Sequence, residues 1–155
     1  MATYTKYANG TVVTASGGAN AAGFPAFTVF ENTVDFTKVS TPLAINDVVQ
    51  VISIPAGTWV MGVHWKIETV EGAARNFAVG DSTTTNGWIT TTSANTLTSG
   101  TSTLALTEGM PNTITGYSSG KYYSTASTID VLAVTAGGLT TAKLRLKVFG
   151  LVAGL

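Results

Sequence analysis

The chain has 155 residues, enough for about one domain with a sizeable core. Its 8 Lys plus Arg balance 8 Asp plus Glu, which argues against a nucleic-acid binder that works by neutralising phosphates. There is no Cys, so disulfides and thiolate metal sites are excluded.

Only 10% of residues are charged, against about 25% in a typical soluble domain. The solvent face must therefore be built from Thr, Ser, Asn and Gly, or be covered by partners. The mean hydropathy of +0.31 leans towards partners. The start, MATYTKYANG, lacks the basic opening and apolar run of a signal peptide. No stretch approaches the roughly 18 continuous apolar residues of a membrane span. The expectation is a protein made in a cytoplasm, with neither membrane nor nucleic acid among its partners.

Residues 1–26 are weakly patterned. Ser16–Gly23 is small and glycine-rich, and reads as an exposed arm that becomes ordered only against something else. Phe27–Phe36 is dominated by strand formers, with Glu31-Asn32 marking a turn or bulge midway. Asp47–Ile54 is β-branched and reads as a buried strand. Pro55-Ala-Gly57 is a turn, since Pro presets φ and Gly takes conformations other residues resist. Thr58–Thr69 follows it as a long strand, and the two are expected to pair as an antiparallel hairpin.

In that second strand Trp59, Met61, Val63, Trp65 and Ile67 alternate with Val60, Gly62, His64, Lys66 and Glu68. A period of two places both Trp side chains on one core face, with His64 opposite. Arg75–Val79 is a short strand ending at Gly80-Asp81. The Thr- and Ser-rich run to Gly100 reads as a long surface loop holding one short strand. Leu104 with Leu106, Asn112–Tyr117, Lys121–Ser124 and Thr128–Thr135 continue the pattern. Thr140–Val152 closes it, with Leu144, Leu146 and Val148 alternating with Lys143, Arg145 and Lys147. Gly137-Gly138 is expected to join it to 128–135 as a hairpin. Phe149–Leu155 is wholly apolar, where a terminus is usually polar.

No segment carries a helical stripe. Many short strands with Gly-rich turns predict an all-β, two-sheet antiparallel sandwich, jelly-roll-like, of about eight strands. The expected division is an extended N-terminal arm over 1–26 and a sandwich domain over 27–155.

Catalytic chemistry is not evident. A Ser-His-Asp set is possible only through His64, which reads as a surface or interface imidazole. Gly80-Asp81-Ser82 resembles a serine-hydrolase motif by coincidence, because that family's His lies near the C-terminus. One His and no Cys exclude an ordinary zinc centre. Asp81 with Asn86 lacks the carboxylate density of a calcium loop, and Asp81 reads as a turn cap. No catalytic residue, metal site or cofactor is expected.

Two surface readings remain. Trp88, Tyr122 and Tyr123, with Tyr117, lie in loop-rich stretches and form a possible glycan-contact set. Lys143, Arg145 and Lys147 make one basic strand face, either solvated or a steering patch for an acidic protein surface.

The stretch SIPAGTWVMGVHWKIETVEGAARNFAVGDSTTTNGW, followed by ASTIDVLAVTAGGLTTAKLRLKVFGLV, resembles the small all-β virion proteins of tailed bacteriophages. The shared pattern is a strand after a Pro-x-Gly turn, a strand ending in Gly-Asp, a Thr-rich loop to a Gly-aromatic pair, and a closing hairpin. It spans about Asp47 to Val152. Capsid decoration, or cement, proteins match best in length and style.

The resemblance implies a non-enzymatic structural protein of the virion, on the outer capsid surface. Its expected partners are itself, as a homo-oligomer (a trimer), and the major capsid protein. The contact residues expected are Ala19, Phe24, Phe27, Lys143, Arg145, Lys147, Phe149, Leu151 and Leu155. The alternative is a receptor- or glycan-binding β-sandwich of the tail or fibre apparatus.

Overall fold

A computed structural model describes residues 3–4, 26–39, 43–97, 99–101 and 120–152. In chain order the strands are β1 (Thr3–Tyr4), β2 (Ala26–Asp35), β3 (Val48–Ile54), β4 (Thr58–Thr69) and β5 (Asn76–Asp81). They continue with β6 (Ile89–Ser93), β7 (Ser99–Thr101), β8 (Lys121–Tyr123), β9 (Ser127–Ala133) and β10 (Lys143–Val152). The one helical turn among the described residues is a three-residue 3-10 turn at Phe36–Lys38.

The strands form two sheets. One runs β1-β3-β9-β5-β6; the other runs β2-β10-β4-β7, with β8 also paired to β4. Every pairing is antiparallel except β1 with β3. The pairs are nested: β2 lies on β10, β3 on β9, β4 on β8, and β5 on β6. The fold is an all-β sandwich of two sheets, as the strand pattern predicts.

Neither expected hairpin forms. The Pro55–Gly57 turn carries the chain from β3 in one sheet to β4 in the other, and the Gly137-Gly138 turn does the same between β9 and β10. A tight turn sets the local reversal but not whether the next strand lies beside the last or across the core. The Glu31-Asn32 break is also absent, because β2 keeps unbroken register with β10 over all ten residues. Asn32 points inward and donates from Nδ2 to the Val51 carbonyl at 2.8 Å, satisfying a backbone group on the edge of β3.

The core lies between the sheets. From β10 come Leu144, Leu146 and Val148; from β4 Val60, Val63, Trp65 and Ile67; from the facing sheet Phe77, Val79, Ile129 and Val131. Trp65 meets Phe77 edge to face at 5.7 Å, tying β4 to β5 across the layers.

Trp59 does not share the face of Trp65. Phe149 pairs with Gly62 but Gly150 pairs with Val60, so Met61 is an extra residue in β4. This bulge shifts the alternation by one. Val63, Trp65 and Ile67 stay in the core, whereas Trp59 turns to solvent on the same side as His64.

Candidate contact face

The outer face of the β10 sheet gathers most of the residues singled out from the sequence. Along β10 the odd-numbered residues from Lys143 to Leu151 are half-buried and the even-numbered ones buried, a clean two-residue period. Register then builds rows across the sheet. One row joins Phe27, Leu151, Trp59 and Tyr122, and the next joins Val29, Phe149 and Gly62. Beyond them lie Glu31, Lys147 and His64; then Thr33, Arg145 and Lys66; then Asp35, Lys143 and Thr69.

The face is thus divided into an apolar end and a charged end. At the apolar end Phe27, Trp59 and Tyr122 are 44%, 43% and 52% exposed. The rings of Trp59 and Tyr122 lie 6.4 Å apart, inclined by 31°. Gly120, at φ 83°, lies against the indole: a Cβ there would come within 2.9 Å of Trp59 Nε1 and 2.7 Å of the Val60 carbonyl. A bare backbone at this point lets Trp59 lie close to the sheet edge. Large exposed apolar groups in one row are unusual on a surface with no partner.

At the charged end the three cations of β10 do not form a basic patch. Lys143 pairs with Asp35 at 3.1 Å, Lys147 with Glu31 at 3.2 Å, and Arg145 with both Glu31 (3.5 Å) and Glu68 (3.1 Å). Antiparallel pairing brings Glu31 and Asp35 of β2 opposite them, and three acids match three bases. The steering-patch reading is therefore replaced by a mixed network. Burial would raise the Asp35 pKa, but the Thr37 hydroxyl and amide together with Lys143 outweigh it and hold the carboxyl below its ordinary range. Burial, then Lys147 and Arg145, press the His64 pKa below its ordinary value.

Two of the aromatics expected at the surface are buried. Trp88 is 1% exposed and Tyr123 4%. Trp88 Nε1 donates to the Tyr123 hydroxyl at 3.3 Å, and that hydroxyl donates to Asp81 Oδ2 at 2.6 Å. Lys121 Nζ reaches the same oxygen at 2.6 Å, and Asp81 Oδ1 accepts the amides of Thr83 and Thr84. Burial alone would raise the Asp81 pKa, yet Lys121, Tyr123 and these amides lower it. The polar tips of Trp88 and Tyr123 find partners inside, which is what lets both rings close one end of the core.

Of the expected contact residues, Phe27, Lys143, Arg145, Lys147, Phe149 and Leu151 share this one face. Ala19, Phe24 and Leu155 lie outside the described residues, as does Tyr117. The exposed residue missed is Trp59. Gly62 was the available signal, because a Gly within a strand pattern marks a bulge. Among the described residues no cluster of three His, Asp or Glu side chains could hold a metal ion, and no helix is long and apolar enough to cross a membrane.

No family model matches the chain, and no curated protein matches it. Solved structures do. A chain of the cyanophage Pam1 capsid asymmetric unit is 13% identical with a TM-score of 0.55, covering 95% of this chain and 99% of that one. A chain of the Ralstonia phage GP4 capsid is 11% identical with a TM-score of 0.54, covering 88% and 90%. A chain of the acidic stable capsid structure of Helicobacter pylori bacteriophage KHP30 is 15% identical with a TM-score of 0.50, covering 81% and 87%. At these identities the similarity is one of fold, and it extends over more than four fifths of each chain.

Proposed function

We propose that this chain is a structural, non-enzymatic virion protein that binds the outside of an assembled phage capsid and stabilises it, as a homotrimer seated on the major capsid protein. The observation that carries the reading is the divided outer face of the β10 sheet, on a fold shared with chains of three phage capsids. The apolar row of Phe27, Leu151, Trp59 and Tyr122 supplies area to bury. The ion-pair network beside it supplies a polar rim, the usual anatomy of a specific interface. A protein that binds only the assembled lattice stabilises it by RT ln(1 + [L]/Kd), with no chemistry required. A closed threefold would suit lattice sites of that symmetry.

The test uses the purified protein and heads that lack it. Wild-type protein should sediment alone as a trimer and co-sediment with the heads. A Trp59→Asp, Leu151→Asp variant should keep its thermal unfolding profile, since both side chains face outward, and lose head binding. Full binding by the variant, or none by the wild type, would sink the reading.

The exposed Trp59–Tyr122 pair favours one alternative, a glycan-binding sandwich of the tail or fibre apparatus. Two neighbouring, gently inclined rings are a surface on which sugar faces can stack. Glycan-array binding lost in Trp59→Ala, with no head binding by wild type, would select it. The earlier set of Trp88, Tyr122 and Tyr123 contributes only Tyr122 to such a surface.

A further inference from the structure

Asp130 stands on the outer face of the other sheet and is 2% exposed, and its Oδ1 has no hydrogen-bond partner. Its cross-strand neighbours explain the burial. On β5 it lies opposite Gly80, and on β3 opposite Gln50. Residues directly opposite share a face, so what covers Gly80 also crowds Asp130. A Cβ on Gly80 would fall 2.1 Å from the Thr84 carbonyl oxygen and 2.2 Å from the Thr85 carbonyl carbon. The loop 82–87 therefore lies directly on the sheet beside this carboxyl. Asp81, whose Oδ1 accepts the Thr83 and Thr84 amides, pins it from below, and Gly87 N donates to the Thr84 carbonyl within it.

The surroundings of Asp130 suit an acid and not an anion. The loop reads Ser-Thr-Thr-Thr-Asn-Gly and brings no charge; β3 brings the neutral Gln50. On its own strand the Thr128 hydroxyl is a partner, and from β5 the charge acting on it is that of Asp81, a like sign whose own ion pair is with Lys121. Burial is the dominant cause, opposed by Thr128 and reinforced by Asp81, and it pushes the carboxyl up to about 6. Gln50 and Thr128 also border an open surface groove, so bulk solvent lies close to the site.

We propose that Asp130 is a proton-operated latch, lying under the loop 82–87 as the neutral acid and, once ionised, drawing in water and lifting that loop from the sheet. Opening would uncover the Gly80 backbone and extend the groove at Gln50 and Thr128. The device stands on this side of the sandwich alone and does not depend on the reading of the β10 face.

Amide hydrogen exchange tests it, with rates corrected for the intrinsic effect of pH. In wild type the protection of the Thr83, Thr84 and Gly87 amides should fall by about 10- to 100-fold between pH 5 and pH 8. Asp130→Asn, neutral at every pH, should hold the pH 5 protection throughout. A flat wild-type profile, or an equal fall in the variant, overturns the proposal. Should the variant not fold, wild-type NMR decides: the Asp130 carboxyl carbon and the loop amides must titrate with one midpoint, and separate midpoints overturn it. Millimolar calcium restoring protection at pH 8 in wild type but not in the variant would also overturn it, in favour of a bound cation.

Discussion

Glu71, in the turn after β4, and Asp130, under the loop 82–87, are equally hidden from water, at 4% and 2% exposure. The fold treats them in opposite ways. Glu71 receives the amides of Thr140, Thr141 and Ala142 at 2.9, 3.0 and 3.1 Å, and the hydroxyls of Thr140 and Thr141 at 2.7 and 2.9 Å. Burial alone would raise its pKa, but these donors, led by the Thr141 and Thr140 amides, hold it at about 2. Asp130 has one hydroxyl, a like charge and an orphaned oxygen, and goes up to about 6. Burial penalises a charge in both places, and the number of aimed donors decides which form survives.

The largest expected effect comes from breaking the first half of this contrast. Glu71→Gln keeps the shape but removes the charge and half the accepting capacity, and should cost about 3 kcal/mol at pH 7 in denaturant unfolding. Next, Asp130→Asn should raise stability by about 2 kcal/mol at pH 8 and change little at pH 4.

The signs follow from linkage. Glu71, depressed from 4.5 to about 2, contributes stability that is present above pH 4.5 and lost as pH falls through 2. Asp130, raised from 3.8 to about 6, contributes stability that is present below pH 3.8 and lost as pH rises through 6. Together they place the optimum between pH 3.8 and 4.5, with stability falling from there to pH 6. A thermal-melting series should show it there, and Asp130→Asn should broaden it on the alkaline side. The smallest effect belongs to exposed charges. Lys147→Ala removes a surface pair with Glu31 and should cost about 0.5 kcal/mol or less, declining with salt. A cost near that of Glu71→Gln would mean that donor count is not the governing variable.

Much of the sandwich was legible from alternation and turn residues. The in–out pattern of β10 follows directly from Leu144, Leu146 and Val148 set against Lys143, Arg145 and Lys147. The sheet partners were not legible, because Pro55–Gly57 and Gly137-Gly138 specify reversals and leave the choice of layer to long-range packing. Trp59 was assigned to the wrong face because one extra residue, Met61, resets the period, and the sequence marks this only by Gly62. Trp88 and Tyr123 sit among Thr and Ser and look exposed. Their burial depends on Asp81, which is remote from Tyr123 in sequence and near it only after folding. The cations of β10 looked like a patch because their acidic partners, Glu31 and Asp35 of β2 and Glu68 of β4, are distant in sequence.

The placement of β10 has a consequence for how the protein comes into being. This strand is the last of the ten to be synthesised, yet it occupies the middle of its layer, between β2 and β4. While translation is under way those two flanking strands have an empty slot between them, and each shows an unfilled hydrogen-bonding edge. That layer cannot close until Val152 has cleared the ribosome, so folding must be a late, nearly all-at-once event dominated by distant pairings. An unfinished copy would also lack Phe149 and Leu151, and with them part of the outer face of that layer.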